Sequence, residues 1–151
     1  MDVGELLQAW LVSCAVNHEL LALCADEDFD LKAGKGKTVR SNFTHIVGVW
    51  RLHLESKTRG EPSDVPKLDW KTATRQDLVA ALEATDALVA TMLRKTAAQE
   101  KPVLPFFAYL VAHEAHHRSQ IELALRLNGR EPADAALYGL WDWSKKPART
   151  V

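Results

Sequence analysis

Apolar residues recur at helical spacing in four separate stretches of this chain. Between about Gly4 and Cys24, Leu7, Leu11, Cys14, His18 and Leu21 fall on one stripe, with Trp10 and Leu20 beside it. From Val39 to Ser56 the packing face is Phe43, Ile46, Val47 and Trp50, and Arg51, Glu55 and Lys57 suit the exposed end. A third stripe, Leu78, Leu82, Thr85, Val89, Met92 and Leu93, spans Thr74 to Thr96, and Glu83, Asp86, Arg94 and Lys95 are expected to face solvent. Its start carries a helix signal, Thr74 followed three residues on by Asp77 near the positive end of the helix dipole. The fourth stretch runs from Phe106 to Gly129, with Pro105 suited to the first turn and Gly129 to the stop.

The intervening segments read as connections. Ala25 to Lys37 is polar and glycine-bearing and is expected to be a loop. Residues 58–73 hold two prolines and a glycine, enough to cross one end of a bundle. Lys101-Pro102 breaks the helical pattern, Ala135 to Trp143 predicts a brief helix, and the basic end from Lys145 to Val151 is expected to fray. Leu140, Trp141 and Trp143 need a surface to pack on. No segment alternates as a half-buried strand does, and no internal repeat is visible. The expected fold is therefore all-α: one domain over residues 1–151, an antiparallel four-helix bundle with a short C-terminal helical tail.

Composition narrows the function without naming it. At 151 residues the chain can bury a core of its own, and 47% hydrophobic and 26% charged residues are ordinary for a globular domain. Nineteen basic against 20 acidic residues, with no long basic block, argue against a nucleic-acid partner. No run reads as a membrane span and the first residues lack a basic signal region, so neither membrane nor export is expected. Two cysteines are too few for a disulfide framework, and at ten residues apart on one helix they could not pair. A reducing cytoplasmic setting follows. Cys14 reads as a small buried hydrophobe rather than a nucleophile.

Chemistry concentrates on the fourth helix. His113 and His117 are one turn apart, so they share a face with roughly 5–6 Å between Cβ atoms. The same face continues through Leu110, Ile121 and Ala124, which aims the two imidazoles inward. Two inward imidazoles without partners would each carry an unmet polar atom. One shared metal ion would satisfy both. On the second helix His45 sits among apolar neighbours and His53 nearer the charged end, so His45 is the better third ligand. His18, on the apolar side of the first helix, reads either as a hydrogen-bonded core histidine or as part of the same pocket.

Two familiar metal motifs fit poorly. His113-Glu114-Ala115-His116-His117 matches the H-E-x-x-H of zinc proteases, with Glu114 as general base. Gln120 and Leu123 stand where the extended protease motif wants Gly and His, and no sheet accompanies it, although Glu131, Asp134 and Asp142 follow as carboxylates for a third ligand. Glu114 and His117 also have the spacing of di-iron carboxylate bundles, but no second Glu-x-x-His occurs. Glu114 reads as a surface carboxylate or as paired with Arg118, and as a base only if it turns inward. Arg118 is either structural or meets an anionic substrate or a helix end.

The run from His113 to Ile121, followed by Leu125-Arg-Leu-Asn-Gly129, resembles the fourth-helix motif of the DinB/YfiT-like family. Asn42-Phe-Thr-His45-Ile resembles its second-helix segment, and Gly139-Leu-Trp-Asp-Trp143 a common tail. The resemblance implies an up-down-down-up bundle, usually a homodimer, holding one divalent ion such as zinc or nickel through His45, His113 and His117. His116 is not a ligand in that pattern and is expected beside the ligands, supporting them, or at an interface; Ser119 stands where the family more often has glycine. Three histidines leave a coordination position open, as catalytic sites do. Relatives characterised as thiol-dependent transferases and isomerases imply a low-molecular-weight thiol (glutathione, bacillithiol or mycothiol) joined to an electrophile. The opposing expectation is a metal-stabilised dimer or stress-related binding protein without turnover.

Overall fold

A computed structural model describes residues 2–57, 64–99 and 102–146, with side chains described outside 54–57. Four long helices dominate: α1 (Val3–Leu23), α2 (Val39–Lys57), α3 (Arg75–Ala98) and α4 (Leu104–Leu127). A fifth, α5 (Asp134–Trp141), and two 3-10 turns (Asp26–Asp30 and Trp143–Lys145) complete the described elements. Among the described residues there is no strand, only one isolated bridge between Lys32 and Thr38. The chain is thus all-helical, and α1 and α2 each pack against both α3 and α4.

The ends of the helices follow their local chemistry. The Thr74 hydroxyl accepts the Asp77 amide at 3.2 Å, and the Asp77 carboxylate accepts the Thr74 amide at 2.8 Å, so two orphan donors are satisfied reciprocally. Gly129 has φ +69°, the left-handed conformation that ends α4, and the Arg130 amide returns to the Leu125 carbonyl at 2.9 Å. Arg75 ties the start of α3 to the end of α1 by donating to the carbonyls of Leu21 (2.8 Å) and Cys24 (2.6 Å).

The core is divided along the bundle axis. One apolar cluster gathers Leu20, Phe29, Phe43, Leu78, Leu82 and Ile121. The other gathers Trp10, Trp50, Val89, Leu93, Val103 and Leu110. Each fully buried Leu, Ile or Phe contributes about 1.5–3 kcal/mol. Between the two clusters in sequence lie buried polar residues: Ser13 and Asn17 on α1, Thr85 and Asp86 on α3, and Glu114, His117 and Arg118 on α4. Buried polar groups cost free energy unless they are hydrogen-bonded, so this layer must be internally satisfied. Most of it is.

Several expectations change on contact with the structure. Asp86 is 3% exposed rather than solvent-facing, because Trp10 donates to its carbonyl at 3.2 Å and His18 Nε2 lies 2.8 Å from its carboxylate. The segment from Ala25 to Lys37 is not simply a loop. Its 3-10 turn buries Phe29 between the guanidinium groups of Arg40 (5.3 Å) and Arg75 (5.2 Å). In the tail, Leu140 is buried but Trp141 is 65% exposed. Lys146 is docked rather than frayed, its ammonium meeting the Glu19 carboxylate and donating to the Gly139 carbonyl at 2.7 Å; residues 147–151, and 58–63 of the long connection, lie outside the described residues. By length and composition α1 would also pass as a membrane span, yet 56% of that window is buried inside the bundle. Ser13 and Asn17 place polar atoms in the core layer from the middle of that helix, which accounts for α1 as a core element.

Candidate metal centre

The site is built from the first turns of α2 and the middle of α4. At the start of α2 the Thr38 hydroxyl accepts the Ser41 amide at 3.1 Å, the bond of a helix N-cap. This turn sets Asn42 and, three residues on, His45 on the face toward α4. The His45 ring centroid lies 4.5 Å from that of His117 and 5.5 Å from that of His113, and the last two are 4.6 Å apart. One ligand nitrogen from each of the three lies within 4.8 Å of the others, close enough that the set could hold a metal ion.

Hydrogen bonding orients the rings. Asn42 is buried, and its Nδ2 donates to the Thr38 carbonyl at 3.0 Å. That leaves its Oδ1 as an acceptor 2.9 Å from His117 Nδ1, which must therefore carry the proton. His117 Nε2 is left with the free lone pair, the arrangement by which a second residue fixes the tautomer of a metal-binding imidazole. His113 is held by rings: Trp50 meets it edge-on at 5.4 Å and Tyr109 at 5.8 Å. Its Nδ1 is buried with no hydrogen-bond partner among the described residues. An unpaired buried nitrogen is costly, and a cation is one ligand that would remove the cost.

Electrostatics keep these rings neutral. Burial, followed by the charges of His45, His116, His53 and Lys37, pushes His113 down to about 4. Burial, followed by His113, His45, His116 and Lys37, pushes His117 to about 3. His45 is lowered as well, by burial, then Lys37 and His116. At neutral pH three uncharged imidazoles stand together, with one nitrogen of each within 4.8 Å of the others. The donor set fits a divalent transition ion, for which neutral imidazole is a common ligand. A pH effect follows. All three values lie below the ordinary 6.5 of an unfolded histidine, so between pH 6.5 and about 4 the unfolded chain takes up protons that the folded one refuses. The metal-free protein is expected to lose stability as pH falls through that window, read as a falling urea midpoint. A midpoint flat between pH 7 and 4.5 would contradict it.

The remaining candidates lie around this cluster. His116 is exposed, its ring 5.0 Å from that of His117. His53 stacks on Trp50 at 5.8 Å and approaches Tyr109 at 5.9 Å. His18 pairs with Asp86, at the contact of α1 with α3. Glu114 is buried rather than on the surface. One of its carboxylate oxygens accepts from Ser13 at 3.0 Å and lies 3.5 Å from Arg118, and the other accepts from Trp50 Nε1 at 3.4 Å. Burial pushes its carboxyl up, against the pull of Arg118. Arg118 in turn donates to Asn17 Oδ1 at 2.8 Å and to Ser13 Oγ at 3.3 Å. With all its described partners in the core, Glu114 braces α1, α2 and α4 against one another. Cys14 and Cys24 are both buried thiols; Cys24 donates to the Leu20 carbonyl, and burial with the Asp28 charge pushes its pKa up to about 12.

Sequence reasoning had given no role to Asn42, Ser13 or Asn17. Their signal was present, since Ser13 and Asn17 form a polar i, i+4 pair beside an apolar stripe and Asn42 lies one turn before His45. An Asn42→Ala variant is expected to weaken metal binding by about 10–100-fold, because the His117 tautomer is no longer held. Isothermal titration with zinc and nickel measures this, and an affinity within twofold of the parent would refute it.

No characterised protein and no solved structure matches the chain at a significant level. A family model described as the DinB superfamily does match, over residues 12–121. That span includes Asn42, His45, His113 and His117 and covers well over half of the sequence. The chain belongs to the DinB superfamily.

Proposed function

We propose that this protein is a mononuclear metal protein in which His45, His113 and His117 hold zinc or nickel, and that it works as a thiol-dependent S-transferase. The observation that carries the reading is the convergence of three neutral imidazoles from two helices, one of them with a buried nitrogen that lacks a partner. The pairings of helices support an antiparallel up-down-down-up bundle around it. Asn42 on α2 meets His117 on α4, Arg75 at the start of α3 meets the end of α1, and Ser13 and Asn17 meet Glu114 and Arg118 in parallel order. Composition and a cysteine pair too far apart on one helix to form a disulfide favour a cytoplasmic setting.

A divalent ion with an open position lowers the pKa of a thiol or water bound to it and polarises a carbonyl. The chain's own residues do the rest. His45, His113 and His117 offer lone pairs rather than positive charges, Asn42 keeps His117 in the required tautomer, and Trp50 and Tyr109 flank His113. In the reaction a sulfur–carbon bond forms, the leaving group departs with its bonding electrons, and the thiol proton passes to solvent. Glu114 is not assigned the proton, since its oxygens are engaged by Ser13, Trp50 and Arg118.

The test has two stages. Elemental analysis of the purified protein should find about one divalent ion per chain. The loaded protein should then conjugate chlorodinitrobenzene or monobromobimane with glutathione, bacillithiol or mycothiol. Metal without turnover on any thiol would favour a second reading, a metal-stabilised homodimer without catalysis. That reading draws on exposed apolar side chains near the tail, Leu127 at 64%, Tyr138 at 76% and Trp141 at 65%. Sedimentation velocity reads the dimer directly.

A further inference from the structure

Beside the histidine cluster lies an open groove of about 590 Å³, and His45 forms part of its wall. Its volume falls in the ordinary range for small-molecule sites, roughly 300–1,000 Å³. Its lining combines two kinds of side chain. Lys32 and Lys37 contribute ammonium groups and Leu52, Leu68 and Trp70 apolar side chains, and no carboxylate lines it among the described residues. Among the described residues neither lysine has an ion pair, although the chain as a whole carries a net charge of −1. The Ser41 hydroxyl, also in the lining, makes no side-chain hydrogen bond among the described residues. Leu52 is 64% and Trp70 55% exposed, and Lys71 Nζ sits 4.9 Å from the Trp70 ring centroid.

We infer that this groove is the substrate subsite of the proposed metal centre, and that it takes a small amphiphilic anion. The carboxylate or phosphate head would lie against Lys32 and Lys37, and the apolar or aromatic body against Leu68 and Trp70. Three features of the groove converge on this class. Unpaired ammonium groups beside the Ser41 hydroxyl recognise an anionic head. An exposed indole and leucines in the same lining gain from covering an apolar body. His45 in the wall would put the bound molecule beside an ion held by the three histidines. The inference rests on the metal-centre reading for its chemistry but not for its binding, because neither lysine nor Trp70 is a ligand.

The experiment titrates the full-length, metal-loaded protein with 1-naphthoate, 1-naphthyl phosphate and the neutral 1-naphthylmethanol, by calorimetry. The two anions are expected to bind one per chain, at least about fivefold tighter than the alcohol, with a preference that shrinks as salt is raised. The ratio of the two anions separates a carboxylate site from a phosphate site. In a Lys32→Gln/Lys37→Gln variant the anions should weaken by about tenfold and the alcohol by less than twofold. Trp70→Ala should weaken all three. Equal binding of anion and alcohol, or a double lysine variant that binds as the parent does, would overturn the inference. A metal-stripped arm separates the two readings. Anion binding that survives chelation and is lost in the lysine variant supports the groove even if no metal is native. Binding lost on chelation and untouched by the lysine changes assigns the anion to the ion and sinks the groove.

Discussion

A His113→Ala variant is expected to lose the bound ion. Two imidazoles remain, and affinity for zinc or nickel should fall by more than about a hundredfold, beyond the 10–100-fold typical of a lost supporting residue. The readout is metal per chain after gel filtration, with calorimetric titration of the stripped protein. Loss of the ion should also remove its contribution to folding, since a ligand bound only by the folded state stabilises in proportion to the logarithm of its excess over Kd. The parent should therefore melt higher with added metal and the variant should not. His116→Ala is the control. That ring is exposed and adjoins His117 without belonging to the three-histidine set, so the change should leave stoichiometry intact. Unchanged metal content in His113→Ala would remove the basis of the catalytic proposal.

The second large effect concerns the buried ion pair rather than the metal. Arg118→Met is expected to destabilise the fold by about 3–5 kcal/mol, the cost of leaving a buried charge without its partner. The Glu114 side chain is 1% exposed and that of Arg118 6%, so solvent screening offers little relief. Asn17 and Ser13 would lose their donor as well. Urea denaturation measures the change. The double variant Arg118→Met/Glu114→Gln should recover part of the loss, because the stranded carboxylate is then gone. A single-variant cost under 1 kcal/mol would mean that Arg118 does not hold this layer. Full metal content in the double variant would separate the brace from the metal site.

The histidine cluster was legible because helical spacing decides which residues share a face. His113 and His117 are one turn apart between apolar turns, and no tertiary information is needed to aim both inward. The capping pair Thr74 and Asp77 and the stop at Gly129 were legible for a similar reason, since each is a contact between near neighbours in the chain. Asp86 shows where this reasoning fails. Charge predicts a solvated side chain, yet the residue lies opposite Trp10 and His18, sixty-eight or more positions away, whose polar atoms it satisfies. Phe29 is a second case. A polar, acidic segment concealed a turn whose aromatic ring is held by two arginines from other elements.

Periodicity, capping and glycine placement were enough to specify four long helices and the inward direction of two histidines. Those properties depend on interactions within about one turn of helix, which the order of residues states directly. The apolar neighbours of His45 favoured it over His53 in the sequence, but which helix faces which, and hence that its ring adjoins those of His113 and His117, was decided by tertiary packing. So were the tautomer imposed by Asn42, the brace joining Glu114 to Arg118, and the groove between two lysines and Trp70. Each depends on a distance between residues far apart in the chain, and such distances exist only once the helices have packed.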